Sequence, residues 1–295
     1  MRFGVVLPRY DVGFSVVRDL ALWVEEAGFD SIWVTDHLQP TRGKTLLEPW
    51  TLLSALSTLT KRLRLGTTVF CYSYRHPAVL AKMVSTLDRI SGGRVELGVG
   101  TGSKPQVEEH RAMGIPYPSF GERVKMFRDY VKVLRLLWGR DERVSYSSPY
   151  YPLRDATLDS PPAQESIPIW IGARSPKMLS VAVELGDGWN FYGQTMEEYR
   201  RAAEIVDDRL RRLGKPPEAF RRAVFTSLSV WEAGESVSEE DLKRRYTLVY
   251  GTPETVLERI EEFRRLGVEL LILRDLDPEF RNLKRFASKI LPQFG

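Results

Sequence analysis

The chain of 295 residues has one cysteine, Cys71, and three histidines, His37, His76 and His110. A lone thiol excludes an internal disulfide and removes one reason to infer secretion. The histidines show neither HxxxH nor HExxH spacing, so no metal site is expected. Asparagine occurs only at Asn190 and Asn282, and few amides among many Arg, Glu and Lys lean toward a heat-adapted source. No apolar run approaches the ~18 residues of a membrane span. The opening "MRFGVVLPRY" lacks a signal-type cleavage site. The formal charge is +4, yet no Lys/Arg block with interleaved aromatics appears, so neither a membrane nor a nucleic acid is an expected partner. A soluble cytoplasmic protein is the expectation.

What is present is rhythm. With 43 % hydrophobic residues there is material for a large core. Short Val-, Ile- and Leu-rich runs at 3–7, 29–34, 63–70, 94–99, 168–172, 188–192, 223–231 and 268–273 read as strands. Between and after them, amphipathic spacing predicts helices at 15–27, 49–60, 77–90, 119–138, 176–185, 196–213, 253–266 and 278–290. In the 253–266 stretch Val256, Ile260, Phe263 and Leu266 share one face, and Thr252-Pro253 starts the helix. Strands too apolar for a wet face, each followed by a helix, indicate a parallel sheet covered on its faces. Eight such units fit a closed α/β barrel, a (β/α)8 TIM barrel, better than an open sheet. One domain, 1–295, is expected. Two stretches, 139–167 and 232–251, break the rhythm and read as insertions of the length that covers functional sites.

Chemistry in such a barrel collects at the C-terminal ends of the strands. There "FDSIWV" ends in Thr35, Asp36 and His37. Asp36 and His37 read either as a turn cap beside a packed imidazole or as an acid–imidazole pair able to move a proton. Glu48, in "LEPW", is a lesser candidate, or the acid of a helix's first turn. The third strand end, "LGTTVFCYSYRHP", holds Gly66, Thr67 and Thr68, which mark a bulge or a ligand's close approach. His76 closes the loop before Pro77, and Arg75 is solvated or pairs an anion. "GVGTGSKPQ" contains Gly98, Gly100 and Gly102. It is a truncated dinucleotide pattern with no first βαβ unit around it, and equally a strand end that admits a flat ring. "IGARSPKML" puts Gly172, Ala173, Arg174 and Ser175 at a helix start, as an ordinary cap or a phosphate turn.

The segments "FDSIWVTDH", "RLRLGTTV…YRHPAVLAK…LDRISGGRVELGVGTG", "PIWIGARSPKMLSVAVELGDGWN" and "GTPETVLERIEEFRRLGVELLIL" together resemble the bacterial luciferase-like superfamily. The likeness is strongest to its branch that uses the deazaflavin coenzyme F420, and it runs in order over nearly the whole chain. It implies a luciferase-like barrel and an oxidoreductase that transfers a hydride between F420 and a small organic substrate. Asp36 and His37 would be the catalytic pair, His37 exchanging the proton and Asp36 orienting it. A non-prolyl cis peptide would lie at Thr68–Val69, with Val69 and Phe70 lining one face of the cofactor ring. Gly100, Thr101 and Gly102 would reach the ring edge, and Gly172, Ala173, Arg174 and Ser175 would take the phosphate. A homodimer through the helices beside the second and third strands is also implied, which the patterning at 49–60 and 77–90 permits.

The family's glucose-6-phosphate dehydrogenases carry an acid where Ser103 stands and a tryptophan where Thr41 stands. The general look is nearer the reductases and alcohol dehydrogenases, among them a methylene-tetrahydromethanopterin reductase. The alternative on the same fold is an FMN-dependent monooxygenase using reduced flavin and oxygen. A barrel without catalysis is the third reading, and the Asp36-His37 pair, the small bulge residues and the phosphate turn argue against it.

Overall fold

The computed structural model describes residues 1–39, 45–139 and 143–294. It opens with β1 (Arg2–Val6), α1 (Phe14–Glu26), β2 (Ser31–Val34) and α2 (Pro49–Leu59). Next are β3 (Arg64–Thr67), the short β4 (Phe70–Cys71), α3 (Pro77–Ser91), β5 (Val95–Gly100), α4 (Lys104–Ala112) and α5 (Phe120–Trp138). A hairpin of β6 (Val144–Tyr146) and β7 (Leu153–Ala156) precedes β8 (Ile169–Gly172), α6 (Pro176–Leu185), β9 (Gly188–Tyr192) and α7 (Met196–Arg212). The chain ends with β10 (Arg221–Val230), α8 (Glu239–Arg244), β11 (Thr247–Gly251), α9 (Pro253–Arg265), β12 (Leu270–Arg274) and α10 (Arg281–Lys289).

Strands β12, β1, β2, β3, β5, β8 and β9 lie side by side in that order, and β10 pairs with both β9 and β12. That double pairing closes a ring of eight parallel strands with helices outside, the (β/α)8 barrel expected. Helix starts are set by side chains: Glu48, His76, Ser119, Ser175, Thr195 and Thr252 each accept a backbone N–H of the first turn. In four of these the next residue is proline, which has no N–H to leave unpaired. Thus Glu48 and His76 are helix caps.

Alternation along the strands sorts the core into two layers. Val6, Trp33, Trp170, Ala223, Phe225, Leu270 and Ile272 fill the barrel, whereas Phe3, Val5, Ile32, Val34, Leu271 and Leu273 face the helices. The two interior indoles need room. Trp33 is in register with Gly66 on β3, and Trp170 with Gly188 on β9. A β-carbon at Gly66 would collide with the Trp33 ring, and one at Gly188 would come within 2.6 Å of Trp170. Gly66 therefore makes space for an indole rather than for a ligand. Below, buried Glu96 binds Arg2, Arg64 and the Trp170 Nε1–H, sealing the floor. Burial opposes its charge, but Arg2 and Arg64 outweigh that and hold its carboxyl below the usual range.

Three expectations change. The third strand is divided into β3 and β4 by a cis peptide bond at Thr68–Val69, the position the family resemblance implied. Residues 143–167 do not cover the mouth: the segment follows the outside of α3 and α5 down to the floor. Tyr151 meets His76, Lys82 Nζ donates to the Leu158 carbonyl at 2.8 Å, and Gln164 reaches Asp88 and the Val95 carbonyl. Residues 232–251 hold α8 and β11, and β11 extends the sheet by pairing in parallel with β10. Helix α4 was absent from the periodicity reading, because it is mostly polar and short.

Among the described residues no helix is long and apolar enough to cross a membrane, and no group of three or more His, Cys, Asp or Glu is placed to hold a metal.

The fit of Trp33 is testable. Gly66→Ala is expected to lower stability by about 1–3 kcal/mol, the usual cost of overpacking a closed core. Urea melts of the two proteins followed by circular dichroism would measure it.

Candidate active site

The alternation of β2 continues past its last residue. With Trp33 inward and Val34 outward, Thr35 and His37 fall on the mouth side and Asp36 on the helix side. Asp36 is buried and accepts from Cys71 N–H at 2.9 Å and from both terminal nitrogens of Arg75 at 3.0–3.2 Å. It does not orient His37, as the sequence reading expected; it ties the end of β2 to the loop after β4. Arg75 lies over the Phe70 ring at 4.3 Å and also binds Glu48 at 2.6 Å.

The residue that holds His37 is Glu109, on α4. Its carboxylate, 1 % exposed, accepts from His37 Nδ1, from Leu38 N–H at 3.0 Å and from Tyr74 Oη–H at 2.9 Å. A carboxylate only accepts, so Nδ1 carries the hydrogen and Nε2 is the nitrogen left for exchange. No described residue bonds Nε2, and the imidazole side chain is 15 % exposed. Burial works against the charge of Glu109, but the bonds from His37, Leu38 and Tyr74 prevail and keep its carboxyl below the usual range. Burial and the bond to Glu109 push the Tyr74 phenol well up, so it stays protonated as a donor.

Helix α4 is positioned by its own first turn. Ser103 and Gln106 form a capping box, and Gln106 Nε2 donates to the Asp36 carbonyl at 3.0 Å. Behind it His110 is fully buried, with Nδ1 donating to the Gln106 carbonyl and Nε2 accepting from Ser73 Oγ, both at 2.6 Å. Both nitrogens are occupied, so His110 braces the helix. Burial pushes the nearby Cys71 thiol up to about 11, leaving it an unreactive neutral group.

Past the end of β3, the strand beside the one that leads to His37, the wall is uncharged. Thr68 is buried and accepts from Asn190 Nδ2 at 3.0 Å; Val69 is half-buried, and Thr101 and Gly102 continue β5, the strand that pairs with β4. The glycines here serve Val69. A β-carbon at Gly100 would stand 2.9 Å from its Cγ2, and one at Gly172 would stand 2.7 Å away, while at Gly98 the space belongs to the Thr67 carbonyl. Gly100 and Gly172 therefore seat the bulge and do not open a slot of their own. Phe70 does not line the mouth either: it is 1 % exposed and packs outward against Trp50. Val69, Thr101 and Gly102 remain as the surface a planar ring could rest on.

At the start of α6, Ser175 Oγ accepts from Met178 N–H at 3.3 Å, and the Ala173 carbonyl accepts from Trp189 Nε1 at 2.9 Å. Arg174 is exposed and pairs with Glu198 at 3.2 Å, a solvent-screened bridge that holds little energy against an incoming phosphate. A shallow apolar wall beside a helix start with an adjacent guanidinium fits a flat ring carrying a phosphate. Thr41 lies outside the described residues.

Sequence reasoning missed Glu109. The readable signal was S-x-x-Q at 103–106 with proline in the first turn, which starts a helix and brings Glu109 round to the strand ends. Because the folded pKa of Glu109 is depressed, its contribution is present above the ordinary carboxylate range and lost as pH falls through the folded value. Glu109→Gln is expected to cost about 1–3 kcal/mol near neutrality, with the gap to the parent closing in acid. Thermal melts of both proteins from pH 7 down to pH 3 would check this.

A model of the luciferase-like monooxygenase family matches residues 1–246. An F420-dependent glucose-6-phosphate dehydrogenase of Microbacterium testaceum is 34 % identical, over 99 % of this chain and 97 % of its own. A 5,10-methylenetetrahydromethanopterin reductase of Archaeoglobus fulgidus is 31 % identical over 88 % and 73 %. Among solved structures, an F420-dependent secondary alcohol dehydrogenase superposes with a TM-score of 0.85 at 22 % identity, covering 98 % of each chain, and this supports the fold. With its barrel closed, its mouth divided between an ionisable and an uncharged wall, and these matches along its length, the chain belongs to the luciferase-like family.

Proposed function

We propose that this protein is an oxidoreductase that transfers a hydride between coenzyme F420 and a small organic substrate. One observation carries the proton side of that reading. His37 stands at the mouth with Nδ1 fixed by buried Glu109 and Nε2 left open, past the end of β2, whose neighbour β3 leads into the bulge at Val69. Bound there, F420 would supply the hydride acceptor or donor, and Val69, Thr101, Gly102 and the 172–175 turn would hold it. His37 takes the proton of a substrate hydroxyl at Nε2, or returns it to a carbonyl oxygen in the reverse direction. Glu109 stabilises the imidazolium that forms, and Tyr74 and the Leu38 N–H keep the carboxylate in place. Asp36, through Arg75 and Cys71, is a positioning residue for this strand end.

The relatives named for glucose-6-phosphate and for methylenetetrahydromethanopterin share the scaffold. Here the acid beside the imidazole is Glu109, and Ser103 is a helix cap. The purified protein mixed separately with F420 and FMN is expected to retain the absorbance of F420. His37→Ala should reduce kcat by about 10²–10⁴-fold, the range for a lost general acid–base, with F420 affinity within threefold. Tight FMN with no F420 binding would assign the flavin monooxygenase reading instead, and unchanged turnover would remove His37 from its role.

The homodimer implied by the resemblance would have a surface to rest on. Between α2 and α3 lies a groove of about 580 Å³ lined by Trp50, Ala78, Val79, Met83, Leu87 and Ile90, with Val79 and Ile90 exposed. We assign it to a second copy of this chain. Light scattering should read twice the chain mass, falling to the single-chain mass for Val79→Glu with Ile90→Glu; a parent already at single-chain mass would refute the assignment.

A further inference from the structure

The strand order sets which ends are neighbours at the mouth. β12, β1 and β2 are consecutive, and the bulge, residues 101–102 and the 172–175 turn follow on the next strands round the ring, β3, β5 and β8. Two arginines sit on the β12–β1–β2 side with His37. Arg274 ends β12 and continues the inward-facing series Leu270 and Ile272; it covers the Phe225 ring at 5.1 Å and donates to Ser227 Oγ at 2.8 Å and to the Arg245 carbonyl at 3.0 Å. Arg9, three residues past the end of β1, donates to Thr35 Oγ1 and lies over the Tyr10 ring at 4.5 Å. Thr35 is the inward-facing position immediately before the Asp36-His37 pair.

No carboxylate among the described residues is an ion-pair or hydrogen-bond partner of Arg9. Glu109 acts on it electrostatically, but that carboxylate is engaged by His37, Leu38 and Tyr74. Asp275, next to Arg274, turns outward to Asn282 Nδ2 and to the N–H groups of Asp277 and Leu283. Burial works most against the charge of Arg9 and the neighbouring charge of Arg274 adds to it, while Tyr10 and Glu109 offset part; an anion bound by both guanidinium groups would lower the remaining cost. Guanidinium groups are suited to that task, since each offers paired donors to carboxylate or phosphate oxygens.

We propose that Arg9 and Arg274 form a subsite for an anionic group, a carboxylate or a phosphate monoester, on the substrate whose proton His37 exchanges. This rests on the hydride-transfer reading for the identity of the substrate; the anion site itself is tested without it. The subsite would hold the far end of the substrate on the β12–β1–β2 side, leaving the carbon that exchanges hydride to face the Val69 wall. A neutral alcohol of the same size would bind without that anchor.

The test is calorimetric titration of the cofactor-free protein with malonate and, separately, inorganic phosphate. At least one anion should bind, with the tighter of the two identifying the group. Arg9→Gln and Arg274→Gln should each raise its dissociation constant tenfold or more, Arg9→Lys should recover part of the loss, and exposed Arg212→Gln should stay within twofold of the parent. Circular dichroism confirms that each variant is folded, and Arg9→Lys with Arg274→Lys replaces any glutamine variant that is not. The titration is then repeated with F420 present. Retained anion affinity, within threefold, supports a substrate site distinct from the cofactor's. Anion binding abolished by F420, equal affinity in parent and glutamine variants, or no binding of either anion by the parent would each overturn the proposal. Anion binding that follows the predicted variants in a protein that does not take up F420 would overturn the hydride-transfer reading and leave the anion site standing.

Discussion

A closed ring of eight parallel strands has no open edge, so its interior must be filled from within by whatever its inward-facing residues supply. Here two indoles do most of the filling. Trp33 and Trp170 lie in register with Gly66 and Gly188, and each tryptophan occupies the volume that its glycine leaves empty. Beneath them Glu96 gathers Arg2, Arg64 and the Trp170 indole N–H, so the floor is polar but internally bonded. A plug built this way closes the lower barrel to ligands and leaves the upper rim for them. Ser31, Trp33, Thr35 and His37 are steps of one alternating series, and that series ends at the imidazole.

The same alternation explains why two adjacent ionisable residues have separate duties. Asp36 and His37 are neighbours in sequence but lie on opposite faces of the backbone. Asp36 is spent on structure: it binds Arg75 and the Cys71 N–H and so fixes the loop that follows the bulge. His37 is held from a different element, by Glu109 on α4, seventy-two residues away in sequence. Buried groups with partners on several sides are costly to rearrange, because removing one bond leaves the remaining polar atoms unsatisfied. The arrangement of Glu109, Tyr74 and the Leu38 N–H is of that kind. It sets which nitrogen of His37 bears hydrogen, and that decides what the imidazole can exchange.

The barrel, its strand positions and most helices were legible because apolar spacing and proline-started helices are local signals, written within ten or fifteen residues. The Thr68–Val69 bond was legible only through family resemblance, since nothing in the local composition distinguishes it. The partner of His37 was misread because adjacency in sequence was taken for adjacency in space, whereas the two-residue period of the strand already placed Asp36 outward. Helix α4 went unread because its face is polar: it is anchored by Gln106 and Glu109 rather than by an apolar stripe. Gly98 and Gly100 read as a strand end open to a flat ring, and the space beside them is instead occupied by the Thr67 carbonyl and Val69; Gly172, read as part of a cap or phosphate turn, also makes room for Val69. A glycine reports a close approach without saying which atom approaches.

These placements bear on how one scaffold can serve different substrates. The wall of Val69, Thr101 and Gly102 offers mainly backbone and methyl surface, so it can accept a ring while saying little about the molecule that reacts with it. On the proposed reading, discrimination falls to the neighbouring part of the rim, where β12 ends in Arg274 and Arg9, Thr35 and His37 follow β1 and β2. Those positions follow the strands, lie outside the filled interior and can change without disturbing Trp33 or Trp170. A charged pair there would set a preference by attraction for anions and by the cost of burying it beside a neutral ligand. The constraint that closes the barrel below is therefore what frees its rim to vary above.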